Sequence, residues 1–344
     1  MRFSQHKEVA VLVLNWNGRT LLQQFLPSWL AHIPDYADLI IVDNGSTDDS
    51  VSFLQEHYRD VHLLAFEENL GFAGGYNRAI EELDYQTVIL LNSDVELTSG
   101  WLDQPMQLLN TSPEIAAVQP TLRAQRSPKD FEYAGAAGGF IDRLGYPFCR
   151  GRIFDTIEED RGQYTDSVDL FWASGACLII RRAVYREVGG LDTLFFAHQE
   201  EIDLCWRLNA RGWRIVSAPQ SIVYHVGGAS LSADSPRKVF LNFRNNLLMI
   251  YKNLPAPTLH RVLFARMILD LVAMLVYLLR LRPGQAASVL KGWRCFLIKR
   301  QRYESTRQEN LKKTVRPISP ELMKPYSLLF QYYFKGRKRY SDLP

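Results

Sequence analysis

Over residues 9–121 short apolar runs alternate with amphipathic stretches, and no other feature of the sequence limits the fold as strongly. The periodicity predicts strands at 9–15, 39–43, 61–65, 87–92 and 116–121, with helices at 20–32, 48–57, 71–83 and 101–110 between them. Strict alternation of this kind builds an α/β domain, a mostly parallel sheet covered by helices on both faces. Ligands of such sheets bind at the carboxyl ends of the strands. Those ends carry short polar motifs here.

The pattern fades over 122–168, where Gly135, Gly138, Gly139, Gly145 and Gly151 predict loops and short strands. It returns as a strand at 175–181, helices at 182–188 and 200–211, and a strand-like stretch at 221–224. With 344 residues, 47% of them hydrophobic, the chain can form one large core and an appendage. Charge marks the expected border: residues 1–235 carry 18 Lys and Arg against 32 Asp and Glu, and residues 236–344 carry 22 against 5. We therefore expect an acidic body over 1–235 and a basic helical region over 236–344. A basic region draws nucleic acid or anionic lipid. Its run at 259–281 nearly matches a membrane span, but Arg266 and Asp270 fall inside it, each costing roughly 2.5–3.5 kcal/mol at a bilayer centre. A hairpin lying in or on an anionic membrane surface, closed by Arg280, Arg282 and Pro283-Gly284, fits better. Aliphatic runs between the basic residues argue against nucleic acid, and the same runs suit a homo-oligomer contact.

The first eight residues hold charges and no apolar stretch, so the expectation is a cytoplasmic protein, peripheral at the inner face of the cell membrane. Cys149, Cys177, Cys205 and Cys295 are too far apart to suggest a zinc framework or a disulfide scaffold and are expected to be reduced.

Asn15 and Asn17 close the first strand, before Gly18, and Asp43 and Asn44 close the second, before Gly45. These side chains either hydrogen-bond a base and ribose or simply make turns, with Asp48 capping a helix. The segment 69–78, with Asn69, Gly71, Gly74, Gly75 and Arg78, opens a helix without the spacing of a Walker loop or dinucleotide fingerprint. Free N–H groups at such a start suit a diphosphate. Arg78 is then a phosphate partner or a solvated surface charge. Asn92, Ser93 and Asp94 follow the very apolar 88–91. A carboxylate at the end of a buried strand needs a partner, and a hard divalent cation bridging Asp94 to a phosphate is its natural use. Glu200, Glu201 and Asp203 open a later helix, either as acids favoured by its dipole or as the source of a general base. His225, before Gly227 and Gly228, is either a satisfied polar residue or a ligand that the glycines let a substrate approach.

In order, VLNWNG (13–18), IVDNGSTDDS (41–50), NLGFAGGYNRAI (69–80), LLNSDVEL (90–97), SGACLIIRR (174–182), GGLDTLFFAHQEEIDLCWRLNARGW (189–213) and HVGGAS (225–230) resemble bacterial family 2 glycosyltransferases, within them the rhamnosyltransferase-like branch that decorates cell-envelope polysaccharides. The likeness spans about 9–250. It implies a GT-A fold, a nucleotide-diphosphate sugar donor, a Mg2+ or Mn2+ ion at the carboxyl edge of the sheet, a glycan or polyprenyl-linked acceptor, and inversion by direct displacement. By this resemblance Asp43 binds the base, and Asn15, Asn17, Asn44, Asn69, Gly71, Arg78, Asn92, Ser93 and Asp94 complete the donor site. Asn92-Ser93-Asp94 stands where the family has Asp-x-Asp; its first acid is an amide here, so Asp94 and His225 are the implied metal ligands. Glu200-Glu201 matches the family's acidic pair, with Glu201 as the implied base, one methylene longer than the usual Asp, and Asp203 as the alternative. Trp172, Phe195 and Phe196 either stack on the acceptor or pack in the core.

Two other readings stand beside this one. A nucleotidyltransferase shares such sheets and metals, but 15–19 lacks the basic, glycine-rich signature it needs. The departures at Asn92 and Glu201 leave room for a non-catalytic binding protein of the same fold.

Overall fold

The computed structural model describes residues 7–227 and 235–344. The first six residues, on which part of the leader expectation rests, and 228–230 of the last motif lie outside the described residues. The chain opens with β1 (Val9–Asn15), α1 (Arg19–His32), β2 (Ala37–Asn44), α2 (Ser50–His57), β3 (His62–Phe66), α3 (Gly71–Glu82) and β4 (Thr87–Asn92). A short β5 (Val95–Glu96) leads through α4 (Asp103–Thr111) into β6 (Ile115–Ala124) and β7 (Ser127–Phe131). Each expected element of this half is present within two residues of its expected ends, save β6, which runs on to Ala124.

β1, β2 and β4 are nearly continuous Val, Ile and Leu and are buried, as strands covered by helices on both faces must be. α1 buries Leu22, Phe25, Leu26 and Trp29, one stripe at helical spacing, against one face of the sheet. α3 covers the other face with Ala73, Tyr76, Ala79 and Ile80.

The weakly patterned 122–168 forms a second small sheet. It consists of β8 (Gly139–Asp142), β9 (Pro147–Cys149), β10 (Arg152–Ile153) and β11 (Thr156–Ile157), joined at its edge by a strand from the far end of the chain. β12 (Cys177–Arg181), α5 (Arg182–Glu187), α6 (Glu200–Ala210) and β13 (Arg214–His225) complete the body. The main sheet has the order β3-β2-β1-β4-β12-β6-β13-β5, with β7 beside β6. β12 runs antiparallel to β4 and β6, whereas β13 is parallel to β6. The carboxyl ends of β1, β2, β4 and β13 therefore share one edge, which brings Asn15, Asn44, Asn92 and His225 to the same side.

The basic region forms α7 (Pro236–Asn253), α8 (Ala256–Leu279), α9 (Pro283–Lys299) and α10 (Glu304–Lys312), then β14 (Met323–Lys324) beside β8. α8 and α9 form the expected hairpin, with Leu281 left-handed at its turn. The border expected at 235/236 falls at the N-cap of α7, where the Ser235 hydroxyl accepts from Lys238 N. α7 is nonetheless embedded in the body, with Arg244, Asn245, Asn246 and Lys252 all buried.

Candidate active site

At the end of β1, Asn15 is fully buried and donates from Nδ2 to Asp43 Oδ2 at 2.9 Å. Asp43 Oδ1 accepts from Ser46 N at 2.9 Å, so the carboxylate is fixed in orientation. Asn17, left-handed at φ 50°, accepts from Thr47 N at 2.7 Å and ties the two strand ends together. Asn44 faces the other way: its amide donates to Asn69 Oδ1 and Gly71 O and accepts from Leu70 N. It staples the 69–71 loop to β2. Gly45, at φ +73°, admits this arrangement because a Cβ there would lie 2.5 Å from the Glu68 carbonyl carbon.

The glycine-rich start of α3 differs from expectation. Gly71 N donates to Asn69 Oδ1 at 2.8 Å and Phe72 N to Phe196 O at 3.3 Å, so these two N–H groups are engaged within the protein. Gly75 is small for packing: a Cβ there would meet Leu14 at 2.6 Å. Arg78 lies exposed over the Phe66 ring and pairs with Glu82 at 2.9 Å, the arrangement of a surface arginine.

Asp94 and His225 come together from β4 and β13, with His225 Nε2 3.0 Å from Asp94 Oδ1 and both side chains buried. Asn92 Nδ2 is 3.4 Å from the same nitrogen, and Ser93 is partly exposed beside it. The second ring nitrogen, Nδ1, faces Glu132 Oε1 at 3.3 Å. Burial disfavours the imidazolium, but the hydrogen bond to Asp94 and the nearby Glu132 carboxylate outweigh it and push the His225 pKa up to about 10. Burial likewise raises Asp94, and the His225 contacts overcome it to leave that carboxyl below its ordinary range. Glu132 lies in the irregular stretch that the sequence left without motif. Its identity as an acid three residues ahead of Gly135 was the only available signal.

The set fits a divalent cation by its chemistry. Asp94 oxygen and His225 nitrogen, the latter once an entering ion displaces its proton, are suitable donors, and their 3.0 Å separation is that of neighbouring ligands around an ion bound at about 2.1 Å. Rotating the Asn92 amide would turn its oxygen inward. Among the described residues no cluster of three His, Cys, Asp or Glu forms a complete cage. An ion here would draw its remaining ligands from substrate and water.

Glu200 and Glu201 open α6 beside this centre. A Cβ on Gly175 would lie 3.8 Å from Glu201 Cβ, and the adjoining Ala176 O accepts from Asn92 N at 3.0 Å, so the β12 turn links Glu201 to the Asp94 side. One oxygen of each glutamate, Oε2, is buried without a hydrogen-bond partner, as are His198 Nε2 and Asn15 Oδ1. Unpaired buried acceptors cost about 1–3 kcal/mol each and are tolerated where a ligand completes them. Burial raises the Glu201 carboxyl to about 7 and, with the Glu201 charge, raises Glu200 well above the usual range.

The turn ahead of them is strained: Phe196, His198 and Gln199 all have positive φ, at 66°, 70° and 73°. Asn245 of α7 holds it by donating to the carbonyls of Phe195, Ala197 and His198 at 2.7–3.0 Å. Arg244 donates to Phe195 O at 2.8 Å. Neither residue was singled out from sequence.

Asp203, the alternative base expected from the sequence, lies in a different environment from Glu201. It is wholly buried, pairs with Arg207 and with Lys252 at 2.8 Å, and accepts from Asn253 at 3.0 Å. Burial would raise its pKa, but Lys252 and Arg207 hold it below the ordinary range. Two of the three candidate acceptor-stacking aromatics are packed away: Trp172 donates to Phe140 O at 2.9 Å beneath the second sheet, and Phe195 is wholly buried. Phe196 is exposed, with Arg237 over its ring.

Residues 6–246 match the model described as glycosyltransferase like family 2. The N-acetylglucosaminyl-diphospho-decaprenol L-rhamnosyltransferase of Mycobacterium tuberculosis is 28% identical over 242 residues, covering 65% of this chain and 78% of that protein. Among solved structures, the Pyrobaculum calidifontis mannosyltransferase in complex with GDP-Man and Mn2+ superposes with a TM-score of 0.53 at 14% identity, over 86% of this chain and 88% of its own. TarS 1-349 of S. aureus in complex with UDP-GlcNAc gives a TM-score of 0.53 at 14% identity, covering 89% of each chain. Both share the GT-A architecture.

Proposed function

Since the chain belongs to glycosyltransferase family 2, we propose that it is an inverting, divalent-metal-dependent enzyme that moves a sugar, rhamnose first among the candidates, from a nucleoside-diphosphate donor to a lipid-linked or polysaccharide acceptor at the inner face of the cell membrane. The relative named above acts, by its name, on N-acetylglucosaminyl-diphospho-decaprenol, which supports a polyprenyl-linked acceptor. The reading is supported by a fixed Asp43 and the Asp94–His225 pair at one sheet edge, and by a carboxyl of raised pKa at Glu201, which packs by the Gly175 turn ahead of β12.

Asp43, held by Asn15 and Ser46, presents its carboxylate to the base of the donor. Asp94 and His225, with Asn92, would hold the cation, which when bound neutralises the leaving diphosphate. Glu132 keeps the His225 ring turned toward Asp94 from behind. Glu201, beside the Gly175 turn, takes the proton of the acceptor hydroxyl as its oxygen bonds to the anomeric carbon and the bond to the diphosphate breaks. Asp203 positions α6 against α7 and takes no proton. Residues 236–253 belong with the catalytic unit, because Asn245 and Lys252 hold the segment that bears Glu201.

A panel of dTDP-, UDP- and GDP-sugars, with released nucleoside diphosphate as readout, tests the proposal. One donor should turn over with Mg2+ or Mn2+, and both EDTA and Asp94→Ala should abolish release. Full activity in EDTA would remove the metal from the mechanism.

A further inference from the structure

α8 inverts the usual arrangement of an amphipathic surface helix. Arg266 and Asp270, its charged residues between Phe264 and Leu279, are 2% and 1% exposed and point into the protein. Arg266 pairs with Asp270, stacks on Tyr146 and donates to Leu144 O and Asn246 Oδ1. Asp270 accepts from Trp293 Nε1 of α9 at 2.9 Å. The opposite face is apolar and open, with Phe264, Ile268, Leu271, Leu275, Leu278 and Leu279 forming one stripe, of which Leu279 is 84% exposed. At 1.5 Å per residue it runs for about 22 Å. Soluble proteins seldom leave so long a continuous apolar strip in water.

Basic residues frame the stripe. Arg261 stands exposed at one end and Arg280 at the other, and on α9 the exposed Lys291 and Arg294 alternate with Leu290, Leu297 and the 66% exposed Ile298. At the far tip, the exposed aromatics Tyr333 and Phe334 close the patch, Tyr333 lying within electrostatic reach of Arg280 and Tyr277. Apolar residues flanked by cations suit the boundary between acyl chains and anionic headgroups. By length and composition α8 also qualifies as a membrane span. Spanning would pull Arg266 and Asp270 away from Tyr146, Asn246 and Trp293 and carry both into hydrocarbon, which lying in the plane avoids.

We propose that the α8–α9 hairpin is a monotopic membrane anchor that lies in one leaflet of an anionic bilayer, its Phe264–Leu279 stripe among the acyl chains and its Lys and Arg at the phosphates. The anchor deepens the functional reading, and rests on it only in holding the catalytic edge near a lipid-linked acceptor. Its two forces are separable: cations adsorb the protein in a salt-dependent way, and the inserted stripe retains it in salt.

Flotation of the full chain with vesicles of phosphatidylcholine and phosphatidylglycerol in equal parts tests it. The protein should float, more weakly without phosphatidylglycerol. Combined Leu271→Ser, Leu275→Ser and Leu279→Ser, all at exposed positions, should lower vesicle binding by about 10²-fold or more with melting temperature and donor turnover in solution unchanged. A folded wild-type chain that stays at the bottom of the gradient overturns the inference, as does a triple variant that floats equally well. A non-floating dimer that the three substitutions dissociate overturns it too, by making a second copy the occupant. Donor turnover without flotation removes the anchor alone; flotation without turnover on any donor removes the enzymatic reading alone.

Discussion

Glu201 owes its raised pKa to burial, and the sign of that shift has two measurable consequences. A base works only when deprotonated, so turnover should climb as pH rises through about 7. The folded state holds the Glu201 proton more tightly than the unfolded chain, whose carboxyl has the ordinary value of 4.5. The protonated carboxyl therefore contributes stability that is fully present below 4.5 and lost as pH rises through about 7. Glu201→Gln, which mimics the protonated form, should melt close to wild type near pH 4.5 and above it by about pH 8, as differential scanning fluorimetry would show. Asp203, two residues on, has the reverse environment. Positions i and i+2 of a helix face nearly opposite ways, and the sequence held no sign of which face met Lys252. The placement of Asp43, Asp94 and His225 at one edge was legible because each sits at a strand end, where chain direction alone fixes the edge. Glu132 was not, since it reaches His225 from an irregular segment without period. Replacing it with Gln should weaken Mn2+ binding about 10–100-fold, the usual cost of losing an orienting carboxylate. Calorimetry with Mn2+ and a nucleoside diphosphate reads this directly, and unchanged affinity would free Glu132 from that role.

Among the elements, α7 does the most that composition concealed. Charge alone assigns it to the basic region, yet the Asn245 amide lies within hydrogen-bond distance of three carbonyls of the left-handed turn before α6. Its two amide N–H donors, shared among the three carbonyls, contribute about 0.5–1.5 kcal/mol each and help offset the strain of that turn. Asn245→Ala should therefore lower the melting temperature and cut kcat, while donor affinity, set at β1, β2 and β4, stays within about twofold. A loss confined to donor affinity would contradict this division. The strands and helices of the first half were readable because each buried run is bounded by turn residues. The second sheet was not, because β8 to β11 are two to four residues long, too short for alternation to register. β14 joins it from nearly two hundred residues away, a pairing no local window contains.

For the whole molecule, the charge division at 235/236 is a true feature of the sequence but not a seam between separate bodies. Lys252 bonds Asp192 and Asp203 of the body, and the hairpin beyond turns its few buried charges inward and its apolar stripe outward. A composition-based reading counts Arg266 and Asp270 against a membrane span; the structure removes them from the exposed face altogether. What unites body and basic region is the placement of Glu201, reached from one side by the sheet edge and from the other by α7. The most direct measurement is therefore single-turnover transfer by the full chain and by Glu201→Gln, with donor binding followed on the same preparations. The expected result is a fall in the transfer rate of about 10²–10⁴-fold with donor affinity largely unchanged. Equal rates for the two proteins, or the same fall from Asp203→Asn alone, would contradict the assignment of Glu201 as the base.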